Sequence, residues 1–134
     1  MVHVIDFAKL PDLELIKDPG LRARASQKST NKDTQHYIIR ENGKELVFLS
    51  LDFHPHPDAL FIYEIFVSSS VRGQGVGTRL LREIENLARR NGYSNIGLNA
   101  HPLDDRPKYE LIAWYEKRGF SLQAGSKELM MKTL

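Results

Sequence analysis

The stretch "EIFVSSSVRGQGVGTRLL", residues 64–81, decides the fold, because it joins an apolar run to a glycine-rich loop and then to a helix. The run "ALFIYEIFV", 59–67, is almost wholly apolar, which is typical of a central strand with both faces covered. In "GVGTRLLREIENLARRNG", 75–92, apolar residues recur at helical spacing, and Gly92 suits the C-cap. The stretch therefore predicts a strand, a tight loop and a helix in succession.

The bulk composition bounds the class of protein. A length of 134 residues predicts a single domain over 1–134. The formal net charge of +2 gives little attraction to nucleic acid or membranes, so we expect neither as a partner. The chain contains no cysteine, which excludes a disulfide framework, a thiolate metal site and a cysteine nucleophile. No signal-peptide pattern or membrane-length apolar run is visible, and we expect a cytoplasmic protein.

The remaining segments predict further strands and one more helix. Asn42-Gly43 lies between two β-rich runs and supplies the positive φ angles of a type I′ hairpin turn. The segment "HPHPD", 54–58, is interpreted as a loop, because two histidines without further ligands make a poor metal site. After the central helix we expect a strand in 93–100, a helix in 108–119 and two short strands in 120–124 and 128–134. This order predicts a mixed α/β sheet.

The first 35 residues are the hardest to interpret. The sequence "VHVIDF", 2–7, is consistent with a short strand, and "PDLELIKD" and "GLRARASQKSTN" resemble two short helices broken at Pro19-Gly20. The second of these helices is basic. Its charges form either a solvated helix face or a surface for an anionic ligand or partner, and the sequence leaves both readings open.

The glycine loop Val71–Gly77 fails two common nucleotide-binding patterns. A dinucleotide fingerprint needs a third glycine where Thr78 stands, and a Walker loop needs a lysine before its threonine. A phosphate cradle at a helix N-terminus remains, since the first helical turn offers unpaired N–H groups and a partial positive charge. Arg72 adds a permanent cation. A tight turn without a ligand is the plainer alternative, although three glycines exceed what a turn requires.

These residues resemble a known family. The run Arg72-Gly73-Gln74-Gly75-Val76-Gly77 is similar to the Arg/Gln-x-x-Gly-x-Gly/Ala motif of the GNAT superfamily of N-acetyltransferases, and "AWYEKRGF", 113–120, resembles a later helix-to-strand segment of that family. The resemblance implies a GNAT fold, with a mixed, mostly antiparallel central sheet of six to seven strands flanked by helices. It also implies an acyltransferase that uses acetyl-CoA as cosubstrate and no metal.

The resemblance further implies which residues act. The pyrophosphate of acetyl-CoA is expected at the glycine loop, and the main chain at the end of the preceding strand is expected to bind the thioester carbonyl or the pantetheine arm. Many relatives have an asparagine where Glu110 stands, and Asn99 is the candidate substitute. The expected cofactor-binding residues are Phe66, Val67, Arg72, Gly73, Gln74, Gly75, Val76, Gly77, Thr78 and Asn99.

Two residues are candidates for acid–base chemistry. Tyr115 aligns with the tyrosine that protonates the coenzyme A thiolate in many family members. Glu64 lies in an apolar run, is expected to share a strand face with Ile62 and Phe66, and is expected to be a partly desolvated base. A base or a desolvating pocket is needed because an alkyl amine has a pKa near 10.4, so that holding it neutral at pH 7 costs roughly 4.6 kcal/mol. A hydrogen-bonded, inert Glu64 and a core-packing Tyr115 are the plainer alternatives.

The expected function is direct transfer of the acetyl group from acetyl-CoA to a primary amine of an acceptor, which is either a small molecule or a protein. The alternative is a non-catalytic acyl-CoA-binding regulatory module that uses the same phosphate cradle. The expected partner is therefore an amine-bearing acceptor, and the chain is expected to be a monomer or a homodimer. Nothing in the sequence identifies the acceptor.

Overall fold

The computed structural model describes residues 5–10, 12–28, 33–53, 58–103 and 105–134. Within these ranges the chain forms seven strands and three α-helices, with 3-10 helical turns at Leu13–Leu15 and Ser69–Val71. In chain order the elements are β1 (Ile5–Lys9), α1 (Pro19–Ala25), β2 (Thr34–Glu41), β3 (Lys44–Asp52), β4 (Ala59–Val67), α2 (Val76–Arg90), β5 (Asn95–Asn99), α3 (Lys108–Glu116), β6 (Ser121–Leu122) and β7 (Leu129–Thr133).

The strands form one sheet in the order β1-β2-β3-β4-β5-β7-β6. All neighbouring strands are antiparallel except β4 and β5, which are parallel. This arrangement confirms the predicted mixed, mostly antiparallel sheet and the central position of β4. The hairpin between β2 and β3 is also confirmed, because Asn42 and Gly43 have φ angles of 53° and 82°.

The two faces of the sheet carry different hydrophobic clusters. The larger cluster packs α2 against the sheet through Leu80, Leu81 and Ile84, and it includes Tyr115 of α3. The smaller cluster packs α1 on the opposite face, with Leu21 against Phe48. We refer to these as the α2 face and the α1 face. Because β3 alternates between them, its nine residues are buried almost throughout.

The N-terminal segment differs from the expected two helices broken at Pro19-Gly20. The first is a single 3-10 turn, and Pro19-Gly20 forms the first turn of α1 rather than a break. Asp18 is the N-cap, and its side chain accepts a hydrogen bond from the Leu21 N–H. Proline is tolerated at this position because the N–H groups of a first helical turn lack intrahelical partners. The helix ends at Ala25, well before the expected residue 31.

Three features of the sequence analysis lie outside the described residues: the loop at 54–57, the C-terminal end of the second predicted helix at 29–31 and the N-terminal half of the first predicted strand. In the part of the chain that is described, no helix has both the length and the apolar character needed to cross a membrane.

Candidate active site

A gap between β4 and β5 forms the main cavity of the described chain. The two strands pair only from Ala59↔Asn95 to Ile62↔Leu98, after which β4 continues to Val67 while β5 ends at Asn99. The cavity between them has a volume of about 560 Å³. It is lined by Arg24 from the α1 face and by Tyr115 from the α2 face. The cavity is therefore lined from both faces of the sheet.

A β-bulge in β4 determines which side chains face which side of the sheet. Ser50 pairs with Glu64 while Leu51 pairs with Ile62, so Tyr63 is an extra residue without a direct partner on β3. Glu64 consequently lies on the α1 face, and Ile62 packs in the α2-face cluster. The expectation that Glu64 shares a face with Ile62 is wrong, because the inserted residue inverts the alternation. The expectation that it shares a face with Phe66 is confirmed.

Glu64 forms an ion pair with Arg24 of α1. Arg24 donates from Nε to Glu64 Oε2 at 2.7 Å and from Nη2 to Oε1 at 2.8 Å. The Glu64 side chain is 11% exposed and the Arg24 side chain 29%. The hydrogen bond to Glu64 raises the pKa of the Arg24 guanidinium. The candidate base is thus enclosed as expected, but its neighbour is a cation rather than an apolar wall.

The helix that carries Arg24 is fixed to the sheet by polar contacts at its start. The carboxylate of Asp18 accepts from Ser68 Oγ at the end of β4. Glu45 on β3 accepts from the main-chain N–H groups of Lys17 at 2.9 Å and Asp18 at 2.8 Å. Together with the burial of Leu21, these bonds hold α1 in one position, so the Arg24 guanidinium is presented to the cavity from a defined backbone.

The glycine loop and the start of α2 form the opposite end of the cavity. Gly73 and Gly75 have φ angles of 79° and 76°, a conformation that other residues adopt at a cost, and Gly75 is the N-cap of α2. Gly77 is required for a different reason, since a Cβ there would lie 3.1 Å from the Trp114 ring. Two glycines therefore shape the loop, and the third allows α2 to pack closely against α3.

Arg72 lies beside the loop with its guanidinium near the end of β4. Its Nε donates to the Val67 carbonyl at 3.4 Å, and its guanidinium carbon lies 5.8 Å from the centre of the Phe66 ring. The side chain is exposed and borders the cavity. A fixed positive charge therefore stands next to the first turn of α2, which is the combination that an anionic ligand requires.

The main chain of Val67 points into the gap. Ser68 N–H donates to Leu46 on β3 at 2.8 Å, which places Ser68 in a hydrogen-bonded position of the ladder. Main-chain groups alternate in direction along a strand, so the N–H and C=O of Val67 point away from β3. Since β5 has already ended, the Val67 N–H faces the cavity, as an oxyanion donor would.

Tyr115 lies on the wall of the cavity and is largely buried. Its ring packs edge-on against Trp114 and Phe120, with centroids 5.0 Å and 5.5 Å away. Burial raises the pKa of the Tyr115 phenol to about 12, and the charge of Arg106 acts weakly in the opposite direction. The phenol is therefore protonated at neutral pH and is available as a hydrogen-bond donor.

All of the predicted site residues except Gln74 border the cavity, as far as the described residues show. The Gln74 side chain is exposed, and its carbonyl accepts from Arg79 Nη1 at 3.0 Å. Asn99, the expected substitute for the family's asparagine, borders the cavity, whereas Glu110 is exposed on α3 and does not.

Arg118 is a structural residue that the sequence analysis missed. Its guanidinium stacks on the Trp114 ring at 3.7 Å and donates to Thr78 Oγ1 from Nε at 3.1 Å and from Nη2 at 2.8 Å. Burial lowers the pKa of this guanidinium. The contact joins α3 to the first turn of α2, so the Thr78 hydroxyl, expected to bind the cofactor, already accepts two hydrogen bonds from the protein.

Comparisons with known proteins agree with this geometry. The family described as "Acetyltransferase (GNAT) domain" matches residues 32–122. The L-2,4-diaminobutyric acid acetyltransferase of Virgibacillus pantothenticus is 36% identical over 53 residues, which are 39% of this chain and 33% of that protein. The chain therefore spans about a third of the length of this curated relative.

Solved structures share the fold at low sequence identity. The PaiA N-acetyltransferase of Thermoplasma acidophilum, solved with coenzyme A, superimposes with a TM-score of 0.68 and 15% identity over 100% of both chains. A GNAT family acetyltransferase of Elizabethkingia anophelis, solved with acetyl-CoA bound, has a TM-score of 0.65 and 15% identity over 97% of this chain and 98% of its own. At these identities the two structures confirm the expected fold.

Proposed function

We propose, since the chain belongs to the GNAT acetyltransferase family, that it transfers the acetyl group of acetyl-CoA directly to a primary amine of an acceptor. The observation that carries this proposal is the gap between β4 and β5. It brings an anion cradle, an outward-facing main-chain N–H, a protonated phenol and a carboxylate onto one cavity. Each of these groups answers one demand of acetyl transfer to an amine.

The glycine loop and the start of α2 would hold the cosubstrate. The N–H groups of the first turn of α2 and the guanidinium of Arg72 suit a pyrophosphate, because both are positive and both border the cavity. Gly73 and Gly75 keep the loop free of side chains at the point where the phosphate oxygens would approach. Two structural neighbours that hold coenzyme A or acetyl-CoA support this ligand.

Val67 and Tyr115 would act on the thioester. The Val67 N–H stabilises the carbonyl oxygen as the amine nitrogen attacks the carbonyl carbon. Tyr115 donates to the sulfur as the carbon–sulfur bond breaks. A thiol has an ordinary pKa near 8.5, so complete proton transfer from a phenol with a pKa of about 12 is unfavourable in the unliganded site. The contribution of Tyr115 is therefore a hydrogen bond that strengthens as negative charge develops on sulfur. The sulfur leaves as a thiolate, and the second proton that the nitrogen loses on forming the amide passes to this thiolate or to solvent.

Glu64 would accept the proton of the acceptor's ammonium group, directly or through a water molecule. Each carboxylate oxygen already accepts one N–H from Arg24, and each has a further lone pair that can accept another. Because Glu64 lies on the α1 face, the acceptor is expected to enter from the side of α1. The cosubstrate loop lies at the other end of the cavity, which favours direct transfer between two bound substrates.

The curated relative suggests a first acceptor to assay. That protein's name specifies L-2,4-diaminobutyric acid, a small compound with two amines and a carboxylate. We propose small diamino acids as the acceptor class, and L-2,4-diaminobutyrate as the first substrate in a panel with other amines and peptides.

The substitution Tyr115→Phe tests the proposal. Thiol release from acetyl-CoA should show kcat reduced about 100- to 1000-fold, as expected when one hydrogen-bond donor to the developing charge is lost, with the affinity for coenzyme A nearly unchanged. Tyr109→Phe is the matched control, because Tyr109 lies on the same helix and is 73% exposed. An unchanged rate in Tyr115→Phe would remove the phenol from the mechanism. Tight coenzyme A binding without turnover of any amine would favour a regulatory acyl-CoA-binding module instead.

A further inference from the structure

We propose that Arg24 binds a carboxylate of the acceptor, and that the acceptor is therefore a zwitterionic amino compound rather than a plain amine. This inference rests on the proposed acetyl transfer and names the substrate class of the same cavity. It assigns the otherwise unexplained basic helix α1 to acceptor recognition. The relevant group is the pair of Arg24 and Glu64, which places a cation and an anion side by side at the acceptor end of the cavity.

The charges around the cavity favour an acceptor that carries a negative group. Among the described lining residues are four arginines and one glutamate: Arg24, Arg72, Arg106, Arg118 and Glu64. Arg72 stands at the cosubstrate loop, and Arg118 is stacked on Trp114. At neutral pH a simple diamine carries two positive charges, because alkyl amines titrate near pH 10. Glu64 would attract such a diamine, but the adjacent Arg24 guanidinium would repel it. A zwitterion instead carries a charge opposite to each of these two side chains.

The geometry of the Arg24 guanidinium leaves a donor edge for this carboxylate. A guanidinium has two edges that can bind a carboxylate through paired N–H groups. Glu64 occupies the edge formed by Nε and Nη2. On the other edge, Nη1 makes a contact of 3.5 Å with Oε1 of Gln27, an exposed residue whose side chain is easily displaced. A ligand carboxylate at that edge would lie next to Glu64, where the ligand's ammonium group is needed.

Tyr63 completes this end of the cavity. It is the extra residue of the β4 bulge, it is 55% exposed and it borders the cavity. Bulges next to binding sites commonly redirect a side chain toward a ligand. Arg24 comes from a helix that is fixed to the sheet through Asp18 and Leu21, so little ordering is needed when the ligand binds.

Binding to the coenzyme A-loaded protein tests the inference without requiring turnover. Calorimetry would compare L-2,4-diaminobutyrate with its carboxamide and with 1,3-diaminopropane, which differ from it at the carboxylate alone. We expect diaminobutyrate to bind at least about tenfold more tightly than the other two, as a charge-assisted hydrogen bond allows. Equal affinity for the three compounds would overturn the inference. Selective binding without acetylation would support it while contradicting the proposed transfer.

The substitution Arg24→Lys separates this role from a structural one. Lysine keeps a positive charge for Glu64 but has no second paired edge. We expect KM for diaminobutyrate to rise about tenfold, with the KM for 1,3-diaminopropane and the coenzyme A affinity little changed. Arg90→Lys, on the exposed last turn of α2, is the matched control. A similar change of KM for both acceptors, or no change for either, would overturn the assignment of Arg24.

Discussion

The two ends of the cavity are built in different ways. The loop end uses one continuous segment, 66–78, and works largely through main-chain N–H groups, glycine conformations and the start of α2. The α1 end uses two side chains, Arg24 and Glu64, that are 40 residues apart and meet only in the folded protein. A main-chain site tolerates most side-chain changes, whereas a side-chain pair can be altered by one substitution. The first arrangement suits a cosubstrate shared across a family, and the second suits an acceptor that differs between members.

The largest effect is expected from a charge placed at the loop end. Gly75→Glu adds a carboxylate where the pyrophosphate would bind and forces a strained φ of 76°. Like charges in contact cost several kcal/mol, so the affinity for coenzyme A should fall about 1000-fold in calorimetry. Gly92→Glu is the control, because Gly92 has a similar φ of 81° with open space around it and is not among the residues that line the cavity. If the Gly75→Glu variant kept its affinity for coenzyme A, the loop would be a turn without a role in binding.

An intermediate effect is expected from neutralising the acid at the α1 end. Glu64→Gln removes the proposed proton acceptor while keeping nearly the same shape, and kcat should fall about 100-fold with little change in coenzyme A affinity. Glu110→Gln serves as the comparison, since Glu110 is exposed and outside the cavity lining. If both variants kept full activity, Glu64 would be only the structural partner of Arg24. If the Glu64→Gln variant also lost affinity for coenzyme A, the loop end and the α1 end would not act independently.

The smallest effect concerns the packing of a side chain against the loop end. Gly77→Ala puts a Cβ 3.1 Å from the Trp114 ring, which Arg118 holds from the other side. We expect a loss of about 1 kcal/mol in the free energy of unfolding, measured by denaturant titration. In a Trp114→Leu background the same change should stabilise by up to about 1 kcal/mol, because alanine is the better helix former. An equal effect in both backgrounds would show that Trp114 is not the cause.

Local patterns in the sequence were sufficient to predict most of the fold and the loop end of the site. The hairpin at Asn42-Gly43, the apolar run of β4 and the periodicity of α2 each depend on neighbouring residues, and each was predicted correctly. The Arg24–Glu64 contact was not predictable in this way, because nothing near either residue indicates the other. The close contact between Gly77 and Trp114 was likewise not predictable, because tertiary packing brings the two residues together.

The prediction for the N-terminal segment was wrong for a related reason. Pro19-Gly20 reads locally as a helix breaker, but Asp18 caps a helix that begins with these residues and is held by Ser68 and Glu45 from distant strands. Short helices gain most of their stability from such contacts rather than from intrinsic propensity. Their limits are therefore set by partners that a single sequence does not reveal.

The bulge at Tyr63 makes β4 two half-strands of opposite phase joined at one residue. Deleting Tyr63 would place Glu64 directly after Ile62, which is the regular alternation that their partners Ser50 and Leu51 already have on β3. Both halves of the strand would therefore keep their faces, with Glu64 beside Arg24 and Ile62 in the hydrophobic core on the α2 face. The extra residue is thus not needed to keep the two halves in register, and its deletion would remove one side chain from the α1 end of the cavity. A redesign of that end can therefore shorten β4 by this residue while the pairing with β3 on either side is kept.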